Sequence, residues 1–155
     1  MTTTVRPFRA SDAQDFRDLN MAWISAHFGI EDEDIAQLEQ VEETILAKGG
    51  RVLIAEKGGE AIGTVALIPL GPGLVELVKM SVREDSRGAG AGRLLMNAAI
   101  ETAREMGATS IWLETNDVLT AAIKLYERAG FDLVSQEDWR ATPYCRCNTQ
   151  MIKRL

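Results

Sequence analysis

The stretch that most limits how this chain can fold runs from residue 74 to residue 114. Leu74-Val-Glu-Leu-Val-Lys-Met-Ser-Val82 is rich in β-branched and aliphatic residues and reads as a strand. A glycine-dense segment, Arg87-Gly-Ala-Gly-Ala-Gly-Arg93, follows it. The apolar period then becomes helical, with Leu95, Ala98, Ala99, Ala103 and Met106 on one face and Gly107 as terminator. Ser110-Ile-Trp-Leu-Glu114 is a short second strand. A strand–helix–strand crossover of this kind implies a parallel pair in the middle of a sheet. Upstream, Arg51–Lys57 and Ala61–Ile68 flank Gly58-Gly59-Glu60 and read as a hairpin, so the sheet is mixed.

The remaining segments fit around that centre. Thr3–Phe8 is expected as a first strand, and Ser11-Asp12 as the start of a helix carrying Phe16, Leu19, Trp23 and Ala26 and ending near Gly29. A second helix is expected from Asp32 to Ala47, with Ile35, Leu38, Val41 and Ile45 as its buried stripe and Gly49-Gly50 as its stop. Leu119, Ala122, Ile123, Tyr126 and Ala129 mark a further helix, closed by Gly130. Phe131–Ser135 and Tyr144–Met151 read as closing strands. The order β-α-α-β-β-β-α-β-α-β-β in 155 residues predicts one α/β domain over residues 1–155, a mixed central sheet with helices on both faces.

Composition removes several functions. Hydrophobic residues make up 46% and charged residues 26%, an ordinary globular balance. A formal net charge of −6 repels phosphate backbones, so no nucleic-acid partner is expected, and it favours a cationic or amine partner. With one histidine, His27, a His-rich metal site cannot be assembled, and no metal is expected. Cys145 and Cys147 are too few for a disulfide scaffold and too isolated for zinc. The amino terminus lacks the apolar core of a signal peptide, and the longest apolar run, Val65–Leu70, contains Pro69 and is far short of a membrane span. The expectation is a cytoplasmic protein with no membrane partner.

The glycine segment carries the chemistry. Glycines at alternate positions let backbone N–H groups approach a ligand, and the first turn of the following helix leaves N–H donors unpaired at the positive end of its dipole. Together these make an anion pocket, flanked by Arg87 and Arg93. A Walker loop would need Gly-Lys-Ser/Thr where Gly92-Arg93-Leu94 stands. A Rossmann Gly-x-Gly-x-x-Gly read from Gly88 would need its last glycine at position 93, although Glu114 could imitate the ribose-binding acid. A tight turn using its glycines for packing is the third possibility.

Arg-x-x-Gly-x-Gly from Arg87 to Gly92, directly after a strand ending in Val82, resembles the acetyl-CoA-binding signature of the GNAT N-acetyltransferase superfamily. Leu113-Glu-Thr-Asn116 and Ala121-Ala-Ile-Lys-Leu-Tyr126-Glu-Arg-Ala-Gly-Phe131 extend the resemblance, which is specific from about Val75 to Phe131 and only generic over the first 50 residues. The resemblance implies a GNAT-like fold and acetyl-CoA as cosubstrate. It implies that Met80 and Val82 offer backbone groups to pantetheine, that Arg87, Gly88, Gly90, Gly92 and Arg93 surround the pyrophosphate, and that Asn116 approaches the pantetheine arm. It also implies an amine acceptor, on a small molecule or a peptide, and allows a homodimer, which no residue pattern here establishes. A non-catalytic acyl-CoA-binding or regulatory module on the same fold would share the glycine segment.

Acetyl transfer needs a neutral amine, and an amine of pKa about 10.4 is neutral in roughly one molecule in a few thousand at pH 7. Glu76, on the strand leading to the glycine segment, is the first candidate to accept the proton, and Glu114 the second; either could instead be a solvated or sheet-edge carboxylate. Alternation along that strand is expected to place Glu76, Val78, Met80 and Val82 on one face. By the resemblance, Tyr126 meets the departing CoA thiolate, by proton transfer or by a hydrogen bond alone; otherwise it is a core tyrosine. The backbone N–H of Val82 is the candidate oxyanion donor. Seven acids and no base between Glu31 and Glu43 make either a solvated helix face or a field that steers a cationic acceptor. Trp23, Phe28 and Trp139 could wall a pocket or fill the core, and His27 is expected to end a helix without catalytic duty.

Overall fold

The computed structural model describes residues 1–88 and 90–155; Ala89, within the glycine segment, lies outside the described residues. Seven strands form one sheet in the order β1-β2-β3-β4-β5-β7-β6. They are β1 (Thr4–Pro7), β2 (Arg51–Lys57), β3 (Glu60–Gly71), β4 (Leu74–Val82), β5 (Ser110–Thr115), β6 (Asp132–Leu133) and β7 (Thr149–Arg154). All neighbours are antiparallel except β4 and β5, which are parallel, as the crossover through α4 (Ala91–Glu105) requires.

Helices cover both faces. On one, α1 (Ala13–His27), α2 (Asp32–Glu39) and the short α3 (Val41–Thr44) bury Phe16, Ile24, Leu38 and Ile45 against Val52, Ile54, Ala66 and Ile68. On the other, α4 and α5 (Thr120–Arg128) pack Leu95, Met96, Ala99, Ala103 and Tyr126 against Leu53, Val65, Leu67, Leu77, Ile111 and Leu113. Burial of apolar side chains thus covers both sides of the sheet.

Four expectations are corrected. The single helix over 32–47 is broken at Gln40 (φ −122°, ψ 49°), so the stripe slips phase: Leu38, Val41 and Ile45 are buried while Ile35 is 40% exposed. The face of α1 turned to the core is Phe16-Asn20-Ile24, one position round from the expected stripe, because the Asn20 Nδ2 donates to the Phe16 carbonyl (2.9 Å) and so can be buried. The strand expected over 131–135 is only Asp132–Leu133, and that expected over 144–151 begins at Thr149. Residues 144–148, which carry Cys145 and Cys147, form a connection with a turn at 145–146 instead of strand.

The fourth correction concerns β4. Ala66 faces Val78 and Thr64 faces Ser81, so β4 carries one extra residue there, a β-bulge. Lys79 lies in it with φ 52°, the left-handed region that an L side chain seldom adopts. The bulge inverts the alternation. Val78 packs on the α1 side, and so does Glu76, whose register partner Ile68 belongs to that core; Met80 and Val82 pack on the α4 side. The four residues therefore do not share one face.

Candidate active site

Strands β4 and β5 pair only at Leu74/Ser110, Val75/Ile111 and Glu76/Trp112. Beyond Glu76 the two strands splay, and the opening exposes a length of β4 main chain without a ladder partner on that side. Arg83 donates its N–H to the Ile62 carbonyl (2.8 Å), which makes Gly63/Val82 a non-hydrogen-bonded pair. The N–H and C=O of Val82 consequently point away from β3, on the edge of β4 that has no strand partner.

A cleft open to solvent occupies the splay and reaches both sides of the sheet. From the α1 side it is lined by Trp23, Phe28, Glu76 and Val78, and from the α4 side by Leu77, Met80, Leu113 and Tyr126. Alternation on β5 sends Ile111 and Leu113 to the α4 core and leaves Trp112 and Glu114 on the opposite side, with Glu76. The two candidate bases thus flank the opening on one face, and Tyr126 approaches it from the other.

Their electrostatics differ. Burial, reinforced by the neighbouring Glu114 charge, pushes the Glu76 carboxyl up from 4.5 to about 7. Burial also pushes Glu114 up, against the pull of Arg146 and Lys79. Thr142 eases its ionised form, though no hydrogen bond of ordinary geometry reaches either of its buried oxygens. Tyr126 is packed at 6.0 Å from the Phe131 ring, and burial raises its phenol to about 12. The Cys147 thiol, on the cleft wall, is likewise pushed up to about 12 by burial and by Glu114, which keeps it a neutral thiol.

An ion cluster missing from the sequence reading closes the α1 end of the cleft. Asp34, fully buried, accepts from Lys79 Nζ (2.6 Å) and from both terminal nitrogens of Arg146 (2.6 and 2.7 Å). Lys79 also donates to the Tyr144 hydroxyl (3.1 Å), and the Arg146 guanidinium lies 4.4 Å above the Tyr144 ring. Glu31 accepts from the Cys145 N–H (2.9 Å) and from Arg146 (3.3 Å). The Asp34 carboxyl is held down at about 2: its hydrogen bonds from Arg146 and Lys79 outweigh the opposing effect of burial. Two acids of the Glu31–Glu43 run are therefore structural anchors. Nothing in the sequence joins Asp34 to residues 79 and 146; only the fold brings them together.

The remaining sequence candidates fall as follows. Gly88 and Gly90 have φ 83° and 84°, and a Cβ at either would meet open space, so their backbone conformation, not crowding, calls for glycine. Gly90 precedes α4, and the Leu94 N–H donates to the Gly90 carbonyl (3.0 Å) at its first turn, where a helix leaves its leading N–H groups without partners of its own. Arg93 is exposed at this terminus. Arg87 turns back instead, its Nε donating to the Val82 carbonyl (3.3 Å) where it borders a groove beside Asp15, Asp18 and Trp23 of α1. Asn116 lines the cleft but spends its amide internally, donating to the Arg146 carbonyl (2.7 Å) and accepting from the Val118 N–H (2.9 Å). His27 ends α1 with Nδ1 2.9 Å from the Trp23 carbonyl, and Trp139 hydrogen-bonds the Val134 carbonyl (2.9 Å), away from the cleft-lining residues.

The structure is thus a mixed α/β sheet that splits between its two parallel strands, with a glycine-led helix N-terminus following the split strand. The sequence model of the Acetyltransferase (GNAT) family matches residues 14–131, and the chain belongs to that family. It is 32% identical over 101 residues to N-acetyltransferase family 8 member 2 of Rattus norvegicus, covering 62% of this chain and 45% of that protein. It is 31% identical over 121 residues to the uncharacterized N-acetyltransferase YjgM of Escherichia coli, covering 76% and 72%. The chain spans about half the length of the first curated relatives it matches. Among solved structures, a GNAT-family acetyltransferase from Staphylococcus aureus Mu50 superimposes with a TM-score of 0.89 at 22% identity, covering 99% of each chain. The putative acetyltransferase yncA of Salmonella typhimurium, solved with acetyl-CoA, gives 0.78 at 21% identity over 99% of this chain and 94% of that one.

Proposed function

We propose that this chain transfers an acetyl group from acetyl-CoA to an amine by direct attack in a ternary complex. The observation that carries the reading is the through-sheet cleft, with carboxylates on one side, a tyrosine on the other and main-chain donors along its edge. In this reading the N-terminus of α4, with Gly88, Gly90, Gly92 and Arg93, receives the pyrophosphate, and the free edge of β4 at Met80 and Val82 receives pantetheine. Arg87 joins them by releasing the Val82 carbonyl. Asn116 braces the rim of the cleft through its two internal bonds.

The acceptor enters from the α1 side. Its nitrogen attacks the thioester carbonyl; the C–N bond forms, the C–S bond breaks, and the amine proton passes to Glu76. A base of pKa near 7 accepts that proton at neutral pH and loses it again after turnover. The Val82 N–H, on the unpaired edge of β4, stabilises the carbonyl oxygen as it becomes anionic. A phenol near 12 is a weaker acid than a thiol of pKa about 8.5, so Tyr126 holds the departing thiolate by a hydrogen bond and keeps its own proton.

The test is calorimetric titration with acetyl-CoA, followed by thiol release across a panel of amines with the wild type and Glu76→Gln. Binding, amine-dependent thiol release, and loss in Glu76→Gln of the rate rise centred near pH 7 are the expected results. Binding without thiol release on any amine would make the chain an acyl-CoA-binding module instead, and an unchanged pH profile in Glu76→Gln would remove that residue from the mechanism.

A further inference from the structure

We propose that the preferred acceptor is an amine bearing a second protonated nitrogen, and that Glu114 binds that second cation. The inference rests on the amine acetyltransferase reading above and names the acceptor class. One carboxylate suffices to take the proton of the attacking amine, and Glu76 supplies it. Glu114 is a second carboxylate on the same face of the opening, with both oxygens buried; among the described residues only Thr142 eases its charge from close by, without a hydrogen bond of ordinary geometry, and no cation is bonded to it. Groups of this kind are costly to bury and are ordinarily paired.

The resident cations are committed elsewhere. Lys79 is bound to Asp34 and Tyr144, and both terminal nitrogens of Arg146 are held by Asp34, with Glu31 as a further partner. Arg140 sits over the Trp112 ring at 5.9 Å. Glu114 is thus left for a donor brought in by the ligand, and an ammonium or guanidinium supplies both charge and N–H groups. The same arrangement rejects an acceptor carrying a carboxylate, because such a group would meet Glu76 and Glu114 and find Arg146 already engaged. The overall charge of −6 draws a dication toward the molecule.

Putrescine, butylamine and β-alanine test this as a diamine, its monoamine counterpart and an amino carboxylate. In the wild type, kcat/KM should favour putrescine over butylamine by about tenfold or more, the worth of one charge-assisted bond, with β-alanine poorest. Glu114→Gln should collapse the putrescine-to-butylamine ratio toward one; its cooperative melting transition would show that it is folded. Equal loss toward both amines, a wild-type ratio near one, or a preference for β-alanine would overturn the proposal. Equilibrium binding of putrescine to the CoA-loaded protein separates the two readings. Glu114-dependent binding without transfer would defeat the proposed function and keep this inference. Transfer without a diamine preference would do the reverse.

Discussion

At the residue scale, Tyr126 shows how burial sets a role. Its ring packs on Phe131 within the α4-side core, and the residue also lines the cleft, where the proposed mechanism uses its hydroxyl. A phenol raised to about 12 stays protonated throughout the working range, so it donates steadily and contributes no alkaline limb near its ordinary value of 10.0. Tyr126→Phe is expected to lower kcat by about tenfold to a hundredfold, the usual worth of one stabilising donor, while changing acetyl-CoA affinity by less than about twofold. Steady-state kinetics and calorimetry on the same preparation check both halves. An unchanged kcat would return Tyr126 to the role of a core residue.

At the element scale, the bulge in β4 is the device on which the site depends. It turns Met80 and Val82 to the α4 side, leaves Glu76 on the α1 side, and hands Lys79 to the buried Asp34. Removing Asp34 would strand two buried cations, so Asp34→Ala is expected to destabilise by about 3–5 kcal/mol in urea melts. At Lys79 two effects are separable. Lys79→Ala loses the ion pair and keeps the left-handed strain, whereas Lys79→Gly loses the pair and relieves the strain. The glycine variant should therefore be the more stable of the two by about 1 kcal/mol. The opposite order would show that the bulge is not strained at φ 52°.

At the scale of the whole molecule, paired and unpaired carboxylates pull stability in opposite directions with pH. Asp34, whose carboxyl falls from 3.8 to about 2 in the folded state, contributes stability that is present above 3.8 and lost as pH falls through 2; Asp12, held down chiefly by Arg6, acts in the same sense. Glu76, raised from 4.5 to about 7, favours the folded state below 4.5, and that contribution is lost as pH rises through 7. Tm should accordingly fall between about pH 5 and pH 8, and Glu76→Gln should flatten that fall. A Tm that climbs over this interval, or an unchanged slope in the variant, would contradict the assignment.

Much of this architecture was legible in the chain itself. The crossover over 74–114, the hairpin at 51–68, the helices ending at Gly107 and Gly130, and the glycine segment before α4 all follow from local periodicity and backbone preference, which act over a few residues. The family resemblance over 75–131 rests on the same local signals, and the matched family span of 14–131 contains it. What alternation could not foresee is the one-residue insertion at Lys79, because a bulge depends on what the neighbouring strand and the buried Asp34 accept. Nor could sequence spacing join Asp34 to Arg146, or set Glu76 beside Glu114, since those pairs meet only when distant segments pack. Local chemistry determined the elements and the glycine-rich segment that precedes α4. The packing of those elements decided which charges are spent on structure and which are left facing the cleft, because the cost of burying a charge is set by its surroundings and not by its place in the chain.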